Sequence, residues 1–441
     1  MGRWILCVWL SSVLACLPVH AAEPATGFPL LAQNDLLMSD YGPDTGAAGV
    51  TIGEVPQPEI RIRGADGAIV TTTPPLVNGS QLPAQTTTGN PPLVQFPLPA
   101  GSATRLVLLL PRQSPALRSA ADAVMEGFMV AARRDQDARF HITVVETGDD
   151  PEQILNAYQT AQAQADIIVG PLTRSGVAAV AQRGQVNKPT LALAQFEPQG
   201  KGDAQLPARM VSMGLSLEDE ARQVARQAVA DGNVGRAYIV ASGAAWQRRA
   251  ARAFAVQWGQ LRQTTEQMDI PSSGSWLEIS GLQNLKGRLQ AEQPALVFVA
   301  LDAQQASQVR EATGAQVPMV GTSQLNPRPG GGWPDAMRRP ELNGVQLVDM
   351  PWVLQPDHPA VMTYRGDIGA PRRGIDLERL VGLGIDAWRV VREMAASRQV
   401  FEIDGVTGRL QIDMNQAGSR FVRTSTPAVY EEGVVVNMAK P

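Results

Sequence analysis

The sequence predicts an α/β protein of two lobes, each built on a doubly wound parallel sheet and preceded by a long Pro-rich linker. Two observations support this prediction. From Thr104 onward, short apolar runs alternate with segments that repeat apolar residues at helical spacing. Before Thr104 the chain is rich in Pro, Gly, Thr and Gln, a composition that buries too little apolar surface to form a core.

The N-terminus has the pattern of a signal peptide over residues 1–21. An apolar stretch runs from Trp4 to Pro18, and Val19-His20-Ala21 fits a cleavage site. The stretch is shorter than the about 20 residues that a membrane-spanning helix needs, and no later stretch of the chain is long enough. In the alternative interpretation, Val13-Leu14-Ala15-Cys16 is an imperfect lipobox and Cys16 is lipidated.

Residues 22–103 are predicted to form a linker, with one short hairpin over 59–71 where Asp66-Gly67 separates two β-prone runs. Cys7 and Cys16 are the only cysteines and both precede this linker, so we expect no disulfide bond in the folded region. The net charge of −4 argues against nucleic acid as a partner, because phosphate binding requires a strongly basic surface.

The first lobe is predicted to begin with the strand "RLVLLLP". This run is apolar throughout, as expected of a strand that is buried on both faces of a parallel sheet. The patterns that follow it are helix Ser119–Arg133, strand "FHITVVET", helix Pro151–Ala163, strand "ADIIVGP", helix Gly176–Gln185 and strand "PTLALAQ".

A second α/β unit follows. Its first helix is predicted to begin after Ser216 as N-cap and to end at Gly232. The next patterns are strand "RAYIVAS", helix Ala244–Leu261, a strand near "TEQMDI", helix Leu282–Gln290, strand "ALVFVAL", helix Ala303–Thr313, strand "VPMVGTS", crossing strand "NGVQLVDMPWVL", helix Asp376–Ser397 and a β-meander at the end.

Two such units, joined by chain segments that cross from one to the other, match the architecture of type I periplasmic-binding proteins. By that architecture, residues 104–210 and 352–400 form the first lobe, and residues 211–351 and 401–438 form the second.

The residues that would support catalysis are missing from the sequence. The histidines His20, His141 and His358 show no metal-ligand spacing, and neither a G-x-S-x-G nor an S-x-x-K motif occurs. We therefore predict a protein that is not an enzyme and has no metal or cofactor. The segment Gly382–Ala387, "GLGIDA", fits a dinucleotide-binding pattern, but it continues a helical pattern with no strand before it. We interpret its glycines as helix-packing residues.

Polar residues follow several of the predicted strands. In open α/β sheets a ligand lies beyond the carboxyl ends of the strands. The candidates at these ends are Ser114, Thr173, Arg174, Ser175, Gln195, Ser242, Asp302 and Ser323. The helix start at Ser175 would bind the carboxylate of an amino acid, with added charge from Arg174, and Asp302 would bind its ammonium group. Helix capping and turn formation are the alternative roles of the same residues.

A surface loop offers a second kind of site. It contains Trp333, Arg338 and Arg339, and tryptophan and arginine are favoured anchors of protein interfaces. We therefore predict these residues as candidates for contact with a partner protein.

Several motifs resemble the LppC/LpoA family of penicillin-binding protein activators, and the resemblance covers Arg105 to about Val436. These motifs are "RLVLLLP", "DIIVGPLTRSGV", "MGLSLEDEAR", "VDMPWVL", "RLVGLGIDAWRVV" and "FEIDGVTGRLQID". The resemblance implies a periplasmic, non-enzymatic protein that binds and stimulates a class A penicillin-binding protein in peptidoglycan synthesis, with peptidoglycan as a further partner. It also implies attachment to the outer membrane if Cys16 is lipidated.

Two features differ from the best-known members of that family, which have a helical-repeat N-terminal domain and a clear lipobox. The alternative function is that of a periplasmic receptor, which would bind an amino-acid-like ligand between the lobes.

Overall fold

The computed structural model describes residues 103–137, 139–196, 205–327, 338–368, 374–415 and 419–438. The predicted signal peptide, Cys16, the linker with its hairpin and Trp333 lie outside the described residues.

The first lobe is built on a sheet of five parallel strands. Its elements are β1 Thr104–Leu110, α1 Arg118–Asp135, β2 Phe140–Glu146, α2 Pro151–Gln164, β3 Ile167–Val169, α3 Arg174–Arg183, β4 Thr190–Ala192 and β5 Met210–Ser212. The strand order is β2-β1-β3-β4-β5. Leu106 and Leu108 of β1 pack in one core cluster, and Val107 and Leu109 pack in another on the opposite face. The prediction that this strand is buried on both faces is confirmed.

The second lobe begins after β5 and repeats the α/β pattern. Its elements are α4 Leu217–Ala230, β6 Arg236–Ala241, α5 Ala245–Gln260, β7 Thr264–Asp269, β8 Ser272–Ser273, β9 Trp276–Leu277, α6 Ile279–Glu292, β10 Leu296–Val299, α7 Ala303–Thr313, β11 Met319–Gly321 and β12 Gln346–Asp349. Helices α4 and α5 pack with Ile239 on one face of the sheet, and α6 and α7 pack with Val240 on the other. This sheet is therefore doubly wound, as predicted.

After β12 the chain returns to the first lobe. It forms α8 Pro351–Leu354, α9 Pro359–Ile368, α10 Ile375–Ala395 and a separate antiparallel sheet of β13 Val400–Asp404, β14 Arg409–Asp413 and β15 Arg420–Thr424. Ile403, Leu410 and Ile412 of this sheet belong to the same core cluster as Leu106 of β1. The assignment of residues 401–424 to the second lobe is therefore wrong, because their apolar side chains complete the core of the first.

The last two strands complete the second sheet. They are β16 Thr426–Glu431, which pairs antiparallel with β12, and β17 Val434–Asn437, which pairs antiparallel with β16. The full order is β17-β16-β12-β11-β10-β6-β7. Three crossings thus join the lobes, between β5 and α4, between β12 and α8, and between β15 and β16. The predicted crossing strand ends at Asp349, because Pro351 begins a helical turn.

The glycines of "GLGIDA" lie in the interior of α10, as the helix-packing interpretation expects. A Cβ atom on Gly384 would lie 2.0 Å from the carbonyl oxygen of Val124 in α1. A Cβ atom on Gly127 would lie equally close, at 2.0 Å, to the carbonyl oxygen of Val381. The backbones of α1 and α10 therefore approach so closely that only glycine fits at these two positions.

Three of the family-like motifs meet around one buried carboxylate. Asp386 of "LGIDAW" accepts hydrogen bonds from the backbone N–H groups of Val406 and Thr407, at 3.0 and 2.8 Å, in "GVTGRL". The Oγ1 of Thr407 donates a third, at 2.7 Å. The N–H of Trp352 in "MPW" donates to the carbonyl oxygen of Val406 at 2.8 Å. These motifs form one hydrogen-bonded structural unit next to the crossings.

Candidate functional site

A cavity of about 50 Å³ lies between the two lobes. It has room for a few water molecules. Its apolar lining consists of Leu172, Leu193, Ala194, Leu215, Leu217, Met350, Leu380 and Leu383. Its polar and charged lining consists of Arg174, Gln195, Glu220, Ser323, Gln324, Asp376 and Arg379.

An ion pair between the lobes borders this cavity. Arg174 begins α3 of the first lobe, and its Nη2 lies 3.0 Å from both carboxylate oxygens of Glu218 in the first turn of α4. Arg249 of α5 also donates to Glu218, from its Nε at 3.0 Å. Burial alone would raise the pKa of Glu218, but Arg174, a backbone N–H group and Arg249 together lower it below its ordinary value. Glu218 is therefore ionised and holds α4 against α3.

A second ion pair crosses between the lobes from α10. The Nη2 of Arg379 lies 2.8 Å from Oδ2 of Asp349, the last residue of β12, and its Nε lies 3.2 Å from Oδ1. Arg379 also donates to Asp376 and to the carbonyl oxygen of Ser323, at 2.8 Å in each case. Burial would lower the pKa of Arg379, but the charges of Asp349 and Asp376 raise it above its ordinary value. The guanidinium is thus charged and joins α10 to the second lobe.

Glu220 lines the cavity from the first turn of α4. Its Oε2 accepts a hydrogen bond from the backbone N–H of Ser323 at 2.8 Å. Burial and the like charge of Asp349 raise the pKa of Glu220 to about 7, and the Ser323 N–H and Arg379 offset this only in part. The charge of the cavity therefore changes near neutral pH.

Hydrogen bonds also connect the crossings. Arg423 in β15 donates to the carbonyl oxygens of Gly214 and Met213 in the first crossing, at 2.7 and 3.1 Å. Gln223 of α4 exchanges two hydrogen bonds with the backbone of Ser425 in the third crossing, at 2.8 and 2.9 Å. The first and third crossings are thereby held together.

Of the eight predicted strand-end residues, three line the cavity and five do not. Arg174, Gln195 and Ser323 line the cavity. Thr173 caps α3 by accepting a hydrogen bond from the N–H of Gly176 at 3.1 Å, and Ser175 lies in the first turn of that helix. The guanidinium of Arg174, which was expected to attract a ligand, binds Glu218 instead.

The remaining three residues do not line the cavity. The Oγ of Ser114 donates to Asp149 at 3.1 Å, and the Oγ of Ser242 donates to the Oγ of Ser272 at 2.7 Å. Asp302 caps α7 by accepting from the N–H of Gln305 at 2.8 Å, and burial raises its pKa. The predicted carboxylate-binding and ammonium-binding positions are therefore not brought together around this cavity.

The two described residues of the predicted contact surface make bonds within the second lobe. Arg338 is exposed and donates to the carbonyl oxygen of Glu432 at 3.2 Å. Arg339 donates to Oγ of Ser307 at 3.2 Å and to Oε1 of Gln304 at 3.0 Å.

Sequence reasoning missed Glu218, Asp349 and Arg379. The sequence could have indicated Asp349, because this residue ends a buried strand. Cleft residues of open α/β sheets are expected at such strand ends. Glu218 and Arg379 lie on helices whose sequence pattern does not distinguish a buried charge from a solvated one.

Within the described residues, no group of His, Cys, Asp and Glu side chains could hold a metal ion. Among the same residues, no helix has the length and apolar character needed to cross a membrane.

The sequence profile of the family described as "LppC putative lipoprotein" matches residues 96–424. The penicillin-binding protein activator LpoA of Edwardsiella piscicida is 29% identical over 321 residues, which are 62% of this chain and 43% of that protein. The chain spans about half the length of the curated relatives it matches.

Solved structures share the two-lobed fold. The structure of "a putative branched-chain amino acid ABC transporter" from Chromobacterium violaceum has a TM-score of 0.60 and 33% identity, and it covers 74% of this chain and 100% of its own. The C-domain of LpoA from Haemophilus influenzae, a regulator of PBP1A, has a TM-score of 0.59 and 19% identity, and it covers 76% of this chain and 100% of its own. Because the family profile matches more than half of the chain, this protein belongs to the LppC family.

Proposed function

We propose that this protein is a non-enzymatic regulator that binds and stimulates a class A penicillin-binding protein in peptidoglycan synthesis. The observation that supports this most directly is the family match over residues 96–424, together with a relative that is named a penicillin-binding protein activator. The chain also shares its fold with the whole C-domain of Haemophilus influenzae LpoA, which is a regulator of PBP1A.

The geometry of the cleft favours action through protein contact. Arg174 and Arg379 reach across from the first lobe and bind Glu218 and Asp349 of the second. A receptor that closes on a solute by a hinge needs lobes that separate, and separation here would break both buried ion pairs. The two lobes therefore act as one body whose outer surface meets the partner.

The test is reconstitution of the mature protein with the class A synthases of its source organism and a lipid-linked precursor. We expect binding and an increased rate of glycan polymerisation or cross-linking. Absence of both binding and rate change with every class A synthase of that organism would contradict the proposal.

The proposed location is the periplasm, after cleavage that removes residues 1–21. Lipidation at Cys16 would instead attach the protein to the outer membrane. Metabolic labelling with palmitate distinguishes the two, and we expect no label on the wild-type protein. Label that is lost in Cys16→Ser would identify a lipoprotein.

The alternative function is a receptor for an amino-acid-like ligand. The observation that favours it is the similarity to the Chromobacterium violaceum protein, whose name refers to branched-chain amino acid transport, at 33% identity. A ligand held at about 100 times its dissociation constant would stabilise the fold by about 2.7 kcal/mol. A thermal-shift screen with amino acids and muropeptides measures this, and the activator proposal expects no shift.

A further inference from the structure

A basic surface lies on the solvent side of α4 and α5 in the second lobe. Helices α4 and α5 contain five arginines and three acidic residues. Of these acids, Glu218 is buried and Glu220 lines the cavity, which leaves Asp219 on the outer surface. Helices α4 and α5 cover the same face of the second sheet. The fold therefore concentrates positive charge on one side of this lobe.

Contacts between the two helices show which side chains share this surface. Near the N-termini, Arg249 of α5 donates to Glu218 of α4. About two turns later, Arg226 of α4 donates its Nη1 to Oε1 of Gln257 of α5 at 3.1 Å. The helices thus run parallel and in register, and residues three or four positions from these contacts lie along the same seam.

Four residues lie along this seam, and we call them the basic face: Arg222, Arg226, Arg252 and Val256. Arg222 lies one turn before Arg226 on α4. Arg252 and Val256 follow Arg249 by three and seven positions on α5. All four therefore point toward the solvent side of the α4–α5 seam.

The charge of the basic face is only partly neutralised. Arg222 pairs with Asp219, whereas the partner of Arg226 is the neutral amide of Gln257. Arg252 is exposed and makes no side-chain hydrogen bond or ion pair in the part of the chain that the structure describes. Val256 is 53% exposed and is the one large exposed apolar side chain on these two fully described helices. Cationic groups thus surround an apolar contact point.

We propose that the basic face docks a carboxylate-rich surface of a partner protein, and that this partner is the synthase of the proposed function, on which the inference rests. Guanidinium groups bind carboxylates through two parallel hydrogen bonds, so arginine suits this contact. Arginines next to an apolar side chain are also typical of protein interfaces. Membrane docking by a helix would require bulky side chains such as Trp, Phe or Leu on the exposed face, and Val256 does not supply them.

The test compares two charge-reversed variants of the full mature protein. Arg226→Glu/Arg252→Glu alters the basic face. Arg118→Glu/Arg420→Glu is the matched control, because it changes the net charge equally through two exposed arginines of the first lobe. Both variants should keep the melting temperature of the wild type, since exposed substitutions have small effects on stability.

Binding to the purified synthase is measured at two salt concentrations. We expect the basic-face variant to raise the Kd about tenfold or more, because it places like charges opposite each other. The control should bind as the wild type does. Arg226→Lys/Arg252→Lys should lose less affinity than the Glu variant, because it keeps the positive charge but not the paired guanidinium hydrogen bonds. Wild-type binding should weaken at the higher salt concentration.

The outcomes separate this inference from the proposed function. Equal binding by the wild type and the basic-face variant overturns the inference and leaves the proposed function standing. A wild-type protein that binds no class A synthase overturns both. The same variants are also tested on anionic lipid vesicles and on purified peptidoglycan. If the basic-face variant loses binding only to the vesicles or only to peptidoglycan, the basic face belongs to a different partner and the inference is wrong.

Discussion

Arg379 of the first lobe binds Asp349 of the second through two hydrogen bonds, Nη2–Oδ2 at 2.8 Å and Nε–Oδ1 at 3.2 Å. Both side chains are buried. The Nδ2 of Asn326 donates to the same carboxylate at 2.8 Å, so Asp349 has partners from both lobes. This pair lies at the second crossing, where β12 ends, and it connects α10 of the first lobe to the sheet of the second.

Removal of the guanidinium should destabilise the whole protein. We expect Arg379→Met to lower the free energy of unfolding by about 3–5 kcal/mol, because it leaves Asp349 and Asp376 buried without their counter-charge. Urea denaturation measures the loss. The double variant Arg379→Met/Asp349→Asn should recover part of it, since one uncompensated carboxylate is then removed. A loss below about 1 kcal/mol would show that the pair is solvated in solution.

The Arg174–Glu218 pair should couple the two lobes energetically. A double-mutant cycle with Arg174→Met and Glu218→Gln should give a coupling energy on the order of 1–3 kcal/mol, as expected for buried partners in direct contact. Arg249→Met is the matched control, because it removes a single hydrogen bond to the same carboxylate from a more exposed side chain. Additive effects of Arg174→Met and Glu218→Gln would indicate that the pair does not hold the lobes together.

Local features of this fold could be predicted from the sequence, whereas contacts between distant segments could not. The apolar run of β1, the N-cap at Ser216 and the limits of α7 all agree with the structure. Their signals lie within a few consecutive residues. By contrast, the Arg379–Asp349 pair depends on where α10 lies relative to β12, and no local pattern specifies that position. Likewise, the alternation in residues 401–424 predicts strands but not which core they complete.

The carboxyl group of Glu220 should make stability depend on pH. Its pKa in the folded protein is about 7, above the ordinary value of 4.5, so the folded state holds a proton that the unfolded state releases in this range. Its contribution to stability is therefore fully present below pH 4.5 and is lost as the pH rises through 7, by on the order of 3 kcal/mol at most.

Glu220→Gln isolates this effect, because glutamine cannot ionise but can still accept the hydrogen bond from Ser323. The stability of the variant relative to the wild type should increase between pH 5 and pH 8 in urea titrations, the window set by the two pKa values. Subtracting the two profiles removes the contribution of other carboxyls, including Asp376, whose pKa is also raised by burial. Parallel profiles would show that Glu220 is ionised in the folded protein throughout this range.

Two glycines of "GLGIDA" should differ sharply in their tolerance of alanine. Gly384→Ala places a methyl group 2.0 Å from the carbonyl oxygen of Val124, so α1 and α10 must move apart, and we expect a loss of at least about 2 kcal/mol in the free energy of unfolding. Gly382→Ala is the matched control in the same helix, because its nearest neighbours, Met350 and Thr407, lie at an ordinary contact distance of 3.4 Å.

At Gly382 alanine should leave stability unchanged or increase it by up to about 1 kcal/mol, since glycine is the poorer helix former. Chemical denaturation of both variants gives the comparison. In a dinucleotide-binding loop, both glycines would instead allow the backbone to approach a ligand. Alanine at either position would then leave the packing of α1 on α10 unaffected. Equal and small effects at the two positions would therefore contradict the helix-packing interpretation. A large loss confined to Gly384 would show that the motif fixes α10 against α1.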